Sequence, residues 1–341
     1  MITSTTRIIT GLSVSLIIFG ALLAPLQAHA QTTGAGGQAL EIGPPLINIS
    51  GDPGQTIKAN ISLRDVTDGN LVVNNQINDF VAGGEDGTPK IILDTTQSAS
   101  DPYSIRGWIT PVPQLLLKSK EIRSIPITIS IPSNASPGGY YGVVRFTGTP
   151  PELKDSGVSL AASLGALIIL KVNGQAKESL GVEQFFANTN NKPTSTTPIT
   201  FFEAAPIVFV ERIKNIGNLH EEPAGLVTVT DMFGNKVATL GVNQPVHDVL
   251  PGSIRRFETS LDSGNIGNRI LFGLYHAKLD ITYGATKQIL TSEISFWVIP
   301  YKAIIAIIIG LVLLFFGFRF FIRRYNRAII ARAKNSNSTK A

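Results

Sequence analysis

The chain has no cysteine among its 341 residues, so neither disulfides nor thiolate chemistry contribute to it. Small disulfide-stapled scaffolds are thereby excluded, and the domains must be held together by core burial. Histidine is also scarce: His220, His247 and His276 do not have the spacing of a metal site. The sequence contains no nucleophile-elbow, phosphate-loop or dinucleotide motif in a strand–turn–helix setting. We therefore predict that the protein is not an enzyme and uses no metal or cofactor.

Acidic residues are missing from the last part of the chain, where none follows Glu293. The cations of that part are Arg319, Arg323, Arg324, Arg327, Arg332, Lys334 and Lys340. With Arg7 and Lys302 they make nine of the 29 basic residues, which leaves 20 against all 24 acidic residues elsewhere. The formal charge of +5 therefore reflects membrane topology, and we predict no nucleic-acid binding.

One long apolar run precedes this basic tail. Residues 303–318 contain no polar side chain, and the flanking apolar residues extend the run to the ~20 residues that a bilayer core of ~30 Å requires. Trp297 and Tyr301 stand where interfacial aromatic residues are found, and Lys302 is close enough to the end to reach the headgroups. We predict a single transmembrane helix over residues 299–322. By the positive-inside rule residues 323–341 are a cytoplasmic tail and the ectodomain faces outward, as in a single-pass protein of the cell membrane.

The other end has the pattern of a secretory signal peptide over residues 1–30. Arg7 precedes an apolar stretch, which ends in the small-residue sequence Ala28-His29-Ala30. Cleavage before Gln31 would leave residues 31–39 as a flexible lead-in. If cleavage fails, the segment remains as a second membrane anchor.

The rest of the sequence predicts β-strands separated by turns. Isoleucine occupies every second position of residues 125–131, with Pro126 on the opposite face, which favours an edge strand. Residues 165–170 form an apolar run of the length of a buried strand, and residues 272–283 alternate in polarity. The predicted fold class is all-β: tandem immunoglobulin-like β-sandwiches over residues 40–174 and 175–298, followed by the transmembrane helix. Tyr141 and Tyr275, each in a Gly-x-Tyr strand start, are candidates for the tyrosine corner of such sandwiches.

Two small groups of residues allow a functional interpretation beside a structural one. Asp65, Asp68 and Asn70 have oxygen ligands that suit Ca²⁺, but their spacing favours a solvated turn. Tyr103 and Trp108 have the aromatic rings that stack on sugars, although a single Trp in a sandwich more often packs in the core.

Several turn and strand-start motifs together resemble the extracellular region of the WxL-interacting surface proteins of bacteria. They are Pro53-Gly54, Ala59-Asn60-Ile-Ser62, Trp108-Ile109, Ile131-Pro-Ser-Asn-Ala-Ser-Pro-Gly-Gly-Tyr-Tyr-Gly-Val-Val144, Lys214-Asn-Ile-Gly-Asn218, Val229-Thr-Asp-Met-Phe-Gly234, Leu250-Pro-Gly-Ser253 and Phe272-Gly-Leu-Tyr275. The layout of signal peptide, two β-domains, membrane helix and basic tail is similar too. The resemblance implies a non-catalytic protein with a peptidoglycan-binding first domain and a second domain that binds a host or partner surface.

We therefore expect a membrane-anchored bacterial surface protein that binds cell-wall polymer, partner surface proteins or another cell, as in adhesion. The alternative is an extracytoplasmic, chaperone-like assembly factor that lends or accepts a strand to a secreted or surface subunit. An exposed apolar edge strand would favour the assembly factor, whereas a flat aromatic and polar face would favour the adhesin.

Overall fold

A computed structural model describes residues 40–94, 102–150, 163–189, 195–267 and 269–338, with side chains as far as Arg327. The predicted signal peptide, its cleavage residues Ala28, Ala30 and Gln31, and the lead-in of residues 31–39 lie outside the described residues. Within them the chain forms strands over most of its length, and one long helix follows the last strand.

The first β-sandwich is built from nine strands. They are β1 (Leu40–Gly43), β2 (Leu46–Gly51), β3 (Thr56–Asp65), β4 (Leu71–Ala82), β5 (Pro89–Ile92), β6 (Leu115–Leu117), β7 (Ile122–Ser130), β8 (Gly138–Thr149) and β9 (Ser163–Val172). One sheet has the order β1-β3-β7, and the other has the order β2-β9-β8-β4-β5 with β6 also on β4. Pro44 and Pro45 separate β1 from β2 and lack the N–H that a ladder needs, so the chain passes from one sheet to the other there.

The core of this sandwich confirms the predicted periodicity of β7. Ile125, Ile127 and Ile129 are buried, because alternate side chains of a strand point to the same face. Pro126 lies opposite Asn60 of β3 in the last strand of its sheet, so the predicted edge position is confirmed.

The second β-sandwich is built from eight strands and a short helix. They are β10 (Leu180–Asn188), β11 (Phe201–Phe202), β12 (Ile207–Asn215), β13 (Ala224–Asp231), β14 (Lys236–Val242), β15 (Ile254–Leu261), α1 (Ser263–Ile266), β16 (Gly273–Tyr283) and β17 (Gln288–Val298). The sheets have the orders β10-β12-β15 and β11-β17-β16-β13-β14. The predicted alternation of β16 is confirmed, since Tyr275, Ala277, Leu279, Ile281 and Tyr283 are all buried.

The C-terminal helix α2 runs from Tyr301 to Ser338. Within its part Tyr301–Arg327, the most apolar stretch of 18 residues is not buried against the protein. By length and composition this part is sufficient to cross a membrane. The fold class is thus confirmed as tandem immunoglobulin-like β-sandwiches with one apolar C-terminal helix.

Candidate functional site

The two sandwiches meet at Tyr141, which is buried although it belongs to the outer face of its sheet. Its hydroxyl lies 3.2 Å from Nδ1 of His220 in the second sandwich, and the two rings meet edge to face at 5.8 Å. Gly139 makes this possible, because a Cβ there would collide with the Tyr141 hydroxyl. The prediction of a tyrosine corner at Tyr141 is therefore wrong: its hydroxyl is used between the sandwiches and not within one.

For Tyr275, in contrast, the predicted tyrosine corner is confirmed. Its side chain is 5 % exposed, and its hydroxyl accepts a hydrogen bond of 3.1 Å from the backbone N–H of Phe272. The ring also stacks on Phe296 of β17 with a centroid distance of 5.8 Å. Tyr275 is therefore structural.

Asn218 makes two hydrogen bonds to the first sandwich and two to the linker residue Lys177. Its backbone C=O accepts from Gly139 N–H at 2.8 Å, and its Nδ2 donates to the Pro137 C=O at 2.9 Å. Its Oδ1 accepts from Lys177 N–H at 2.7 Å, and its own N–H donates to the Lys177 C=O at 3.0 Å. One residue of the second sandwich thus fixes both the start of β8 and the chain that links β9 to β10.

A further contact comes from the turn between β4 and β5. Glu85 forms an ion pair with Arg212 of β12, in which Arg212 Nε donates to Glu85 Oε2 at 2.8 Å. The Glu85 C=O also accepts from Arg256 N–H at 2.7 Å. The hydrogen bond from Arg212 lowers the pKa of the Glu85 carboxyl. These contacts, together with Asn218 and Tyr141, hold the two sandwiches in one relative orientation.

Burial shifts the pKa of several groups at this junction. It lowers the pKa of His220 to about 4, with the charge of Lys171 as a smaller cause, so the imidazole is neutral at pH 7. Burial raises the pKa of Glu221 to about 7 and that of Asp248 to about 6. One oxygen of each of these carboxyl groups is buried without a hydrogen-bond partner among the described residues. As the pH falls, protonation of Glu221 and Asp248 removes the cost of their buried charges, whereas protonation of His220 at lower pH places a new charge at the junction.

The free edge of β9 is the second feature of the candidate site. β8 pairs with β9 along its whole length, but β2 pairs with it only from Leu167 to Val172. Over residues 163–166, which we call the β9 edge, β9 has no second strand partner among the described residues. Leu167 N–H donates to the Pro45 C=O, so the N–H and C=O groups of Ser163 and Gly165 point to the same open side.

The side chains of the β9 edge suit an incoming strand. Residues 163–166 are Ser-Leu-Gly-Ala and carry neither charge nor proline, the devices that usually protect an edge. Leu164 is half-buried against the core of the first sandwich. Other sheet edges are protected: β5 contains Pro89 and Lys90, and β7 contains Pro126. The β9 edge is thus an uncharged main-chain template beside apolar side chains.

The residues singled out by the sequence lie in several places. Asp65 Oδ1 accepts hydrogen bonds from Thr67 N and Oγ1, and the 98 % exposed side chain of Asp68 pairs with Lys120 at 3.0 Å. These contacts are those of a turn, as the sequence favoured. His276 lies at the surface beside Ser295 Oγ at 2.9 Å. Among the described residues, no group of three or more His, Asp and Glu side chains is placed to hold a metal ion.

Trp108 is only partly buried. It packs on the core of the first sandwich, and its ring lies 4.3 Å from that of Tyr140, tilted by 43°. Tyr103 meets Tyr141 edge to face at 6.3 Å, next to the junction. Neither ring is a fully buried core residue.

Of the residues that were predicted to set the membrane topology, Trp297 lies in β17 and the others lie in α2. Trp297 is 47 % exposed near the end of β17, and Lys302 forms an ion pair with Glu203 at 2.7 Å. The cations are Arg319, Arg323, Arg324 and Arg327, all on the second half of the apolar helix or just behind it.

Sequence reasoning missed the junction residues Glu85, Arg212, Asn218 and His220. Only the Asn-x-Gly-Asn run at residues 215–218 indicates a tight turn in the sequence, because Asn and Gly are typical turn residues. The pairing of Glu85 with Arg212 joins residues 127 positions apart and has no local signature.

Neither a family model nor a curated protein matches the sequence. The protein is, however, similar in structure to several solved proteins. The YadV chaperone is 10 % identical with a TM-score of 0.34, over 76 % of this chain and 100 % of that one. The class 5 fimbriae chaperone CfaA is 14 % identical with a TM-score of 0.35, over 76 % and 99 %. The E. coli chaperone DraB is 12 % identical with a TM-score of 0.32, over 76 % and 96 %. At these scores the likeness carries no argument about function.

Proposed function

We propose that this protein is a membrane-anchored, extracytoplasmic assembly factor that binds an extended segment of a secreted or surface subunit along the β9 edge. The single observation that carries this proposal is the open, uncharged edge at residues 163–166, which includes the half-buried Leu164. The neighbours described above are chaperones too, but the proposal depends on the β9 edge and not on that likeness.

The chemistry of the edge defines the ligand class. Ser163 and Gly165 each offer one N–H and one C=O, so a strand added there gains up to four main-chain hydrogen bonds. At about 0.5–1.5 kcal/mol each, these bonds contribute only a few kcal/mol. Apolar side chains of the incoming segment must supply the rest, and Leu164 provides an apolar neighbour at the edge. The expected ligand is therefore an extended peptide with alternating apolar residues.

The fixed junction supports this function. Binding a strand at a preformed edge costs less when the surrounding structure is already ordered. Asn218, together with the Glu85–Arg212 ion pair, keeps the second sandwich beside the outer face of β8 and β9. We propose domains 40–174 and 175–298, exported behind the signal peptide of residues 1–30, with residues 299–322 as the membrane anchor and residues 323–341 in the cytoplasm.

A second candidate function is the binding of cell-wall polymer or a surface protein, as the resemblance to the WxL-interacting proteins implies. The partly exposed, neighbouring rings of Trp108 and Tyr140 favour it, because exposed aromatic rings are surfaces on which sugars stack. The two functions use different parts of the first sandwich and are separable by mutation.

Site-specific cross-linking in living cells tests the proposal. A photoreactive amino acid at Ser163 should capture secreted or surface proteins, identified by mass spectrometry. The matched control is the same probe at Lys90, which lies on the protected edge formed by β5. Capture of the same proteins in the same amounts from both positions would contradict a specific role for the β9 edge. A third probe replaces Trp108. If only this probe captures material, and glycan hydrolases remove that material, the second candidate function is favoured.

A further inference from the structure

Exposed apolar side chains are concentrated at one end of the second sandwich. Phe233 is 80 % exposed, Ile270 is 84 % exposed and Phe272 is 59 % exposed. Phe201 and Trp297 are each about half exposed and lie side by side in the paired strands β11 and β17. We call these five residues the apolar foot. Exposed apolar groups of this kind, when gathered together, mark an interaction surface.

Strand register places Phe201, Trp297, Phe272 and Phe233 at the same end, and Ile270 lines a pocket there together with Glu203 and Pro300. Phe201 pairs with Trp297, and Gly273, which follows Phe272, pairs with Val298. Asp231 pairs with Tyr275, so the turn that carries Phe233 extends beyond β13 in the same direction. Met232 of this turn contacts Gly273 directly. The foot is therefore contiguous from the β13–β14 turn to β11.

The helix α2 leaves the molecule from this same end. Its first residue, Tyr301, follows Val298 after only two residues, and Ile299 N–H donates to the Phe202 C=O at 2.9 Å. The ion pair of Lys302 with Glu203 also fixes the first turn of the helix to the sandwich. Since the apolar window of α2 is not buried against either sandwich, the helix projects away from them.

The point at which α2 leaves the sandwich sets the depth of the apolar foot relative to the bilayer. If the bilayer core begins near Tyr301, each headgroup region adds about 5–8 Å outside it. Val298 and Tyr301 are separated by three steps of chain, which span about 10 Å at most, and a hydrogen bond from Tyr301 N–H to the Ile299 C=O turns the chain and shortens that reach. The strand ends at Val298 and Gly273 therefore lie in or directly beside the headgroup region. Aromatic side chains with one apolar face are favoured at that depth. Arg269, exposed beside Ile270, adds a cation that suits anionic headgroups.

We propose that the apolar foot rests in the interfacial layer of the bilayer, so that the second sandwich is seated on the lipid surface and not suspended above it. The partner is the lipid bilayer itself, with Phe233, Ile270 and Phe272 inserted among the headgroups and upper acyl chains. This inference depends on α2 being the membrane anchor, as the proposed function states. It also means that the β9 edge is held at a set height above the membrane, since the junction fixes the first sandwich on the second.

The absence of cysteine allows a direct test with the full-length chain in nanodiscs. Phe233→Cys and Ile270→Cys are labelled with a fluorophore, and the lipid carries a nitroxide at carbon 5 of the acyl chain. The matched control is Thr286→Cys, in the β16–β17 turn at the opposite end of the same sandwich. We expect quenching of about twofold or more at positions 233 and 270 and none at 286. Unchanged melting temperatures show that these exposed positions leave the fold intact.

A fourth label separates the two claims. Phe316→Cys, in the middle of the apolar segment of α2, should be quenched by a nitroxide at carbon 12. If position 316 is quenched and positions 233 and 270 are not, the seating of the foot is refuted while the anchor stands. If position 316 is not quenched, the anchor itself fails. Shielding of positions 233 and 270 from aqueous iodide without quenching by lipid would assign the foot to a protein partner and overturn the inference.

Discussion

The hydroxyl of Tyr141 lies 3.2 Å from Nδ1 of His220, and this contact joins the two sandwiches of the chain. Tyr141 stands beside β9, whose residue Ile169 is its direct partner in the sheet. The residue that fixes the second sandwich is therefore next to the strand that carries the proposed binding edge.

Tyr141→Phe is expected to destabilise the protein by about 1–3 kcal/mol, because it leaves the half-buried imidazole of His220 without its partner. Tyr140→Phe is the matched control: its hydroxyl donates to the Ser136 C=O within the first sandwich and makes no contact with His220. Urea unfolding compares the two variants, and limited proteolysis of residues 173–179 reports on loosening of the junction. Equal effects of both changes would show that the contact with His220 contributes nothing.

The ion pair of Arg212 with Glu85 should contribute more than a surface pair, because the Arg212 side chain is only 14 % exposed. We expect Arg212→Ala to cost about 1–3 kcal/mol, between the values for exposed and fully buried pairs. Arg64→Ala breaks the exposed pair with Glu41 and should cost less than about 1 kcal/mol. The measurement is thermal unfolding at low and high salt, and similar losses for both variants would contradict this contribution.

Part of this arrangement follows from the sequence and part does not. The alternation in β16 and β7 predicts which side chains are buried, because each strand has one face on a core and the period of two is local. The role of Tyr141 does not follow, since its hydroxyl contacts a residue 79 positions away. The β9 edge was also missed, because the apolar run of residues 165–170 predicts a fully buried strand and not an open edge. Whether a strand lies beside them is decided by the place where the chain leaves β1 for β2, at Pro44 and Pro45.

Glu211 faces the core of the second sandwich from β12, and burial raises its pKa well above the usual value. A raised pKa means that the folded state holds a proton which the unfolded state releases above pH 4.5. The resulting stability is present below that pH and is lost as the pH rises. Glu211→Gln should therefore be more stable than the parent at pH 8 and depend less on pH between 5 and 8. Glu183→Gln, on the exposed part of β10, is the control in urea unfolding, and identical pH profiles for Glu211→Gln and the parent would refute this account.

The pKa shift of His220 has the opposite effect on the pH dependence of stability. Its pKa is lowered to about 4 by burial, so the stability associated with the neutral ring is present above pH 6.5 and is lost as the pH falls toward 4. We expect limited proteolysis of the linker between the sandwiches to accelerate over this range, and His220→Gln to remove that acceleration. Cleavage that is equally pH-dependent in the variant would show that another group controls the junction.

Tyr275→Ala should cost about 3–5 kcal/mol, as expected for a large buried aromatic side chain that stacks on Phe296. Tyr275→Phe retains the ring and should cost about 1–3 kcal/mol, since the Phe272 N–H loses its acceptor. Thermal unfolding provides both values. A Tyr275→Ala variant that melts like the parent would contradict the structural role of this residue.

The most direct test of the central claim is binding of a peptide from a captured subunit to the full-length protein with a changed β9 edge. Ser163→Pro removes the first N–H of the edge at a position where a strand tolerates proline, while Ser163→Ala retains that N–H. If a strand is added there, the proline variant should bind about tenfold more weakly, equivalent to about 1.4 kcal/mol, and the alanine variant like the parent. Both variants should melt like the parent. Equal binding by the proline variant and the parent would contradict the claim that the β9 edge receives the subunit.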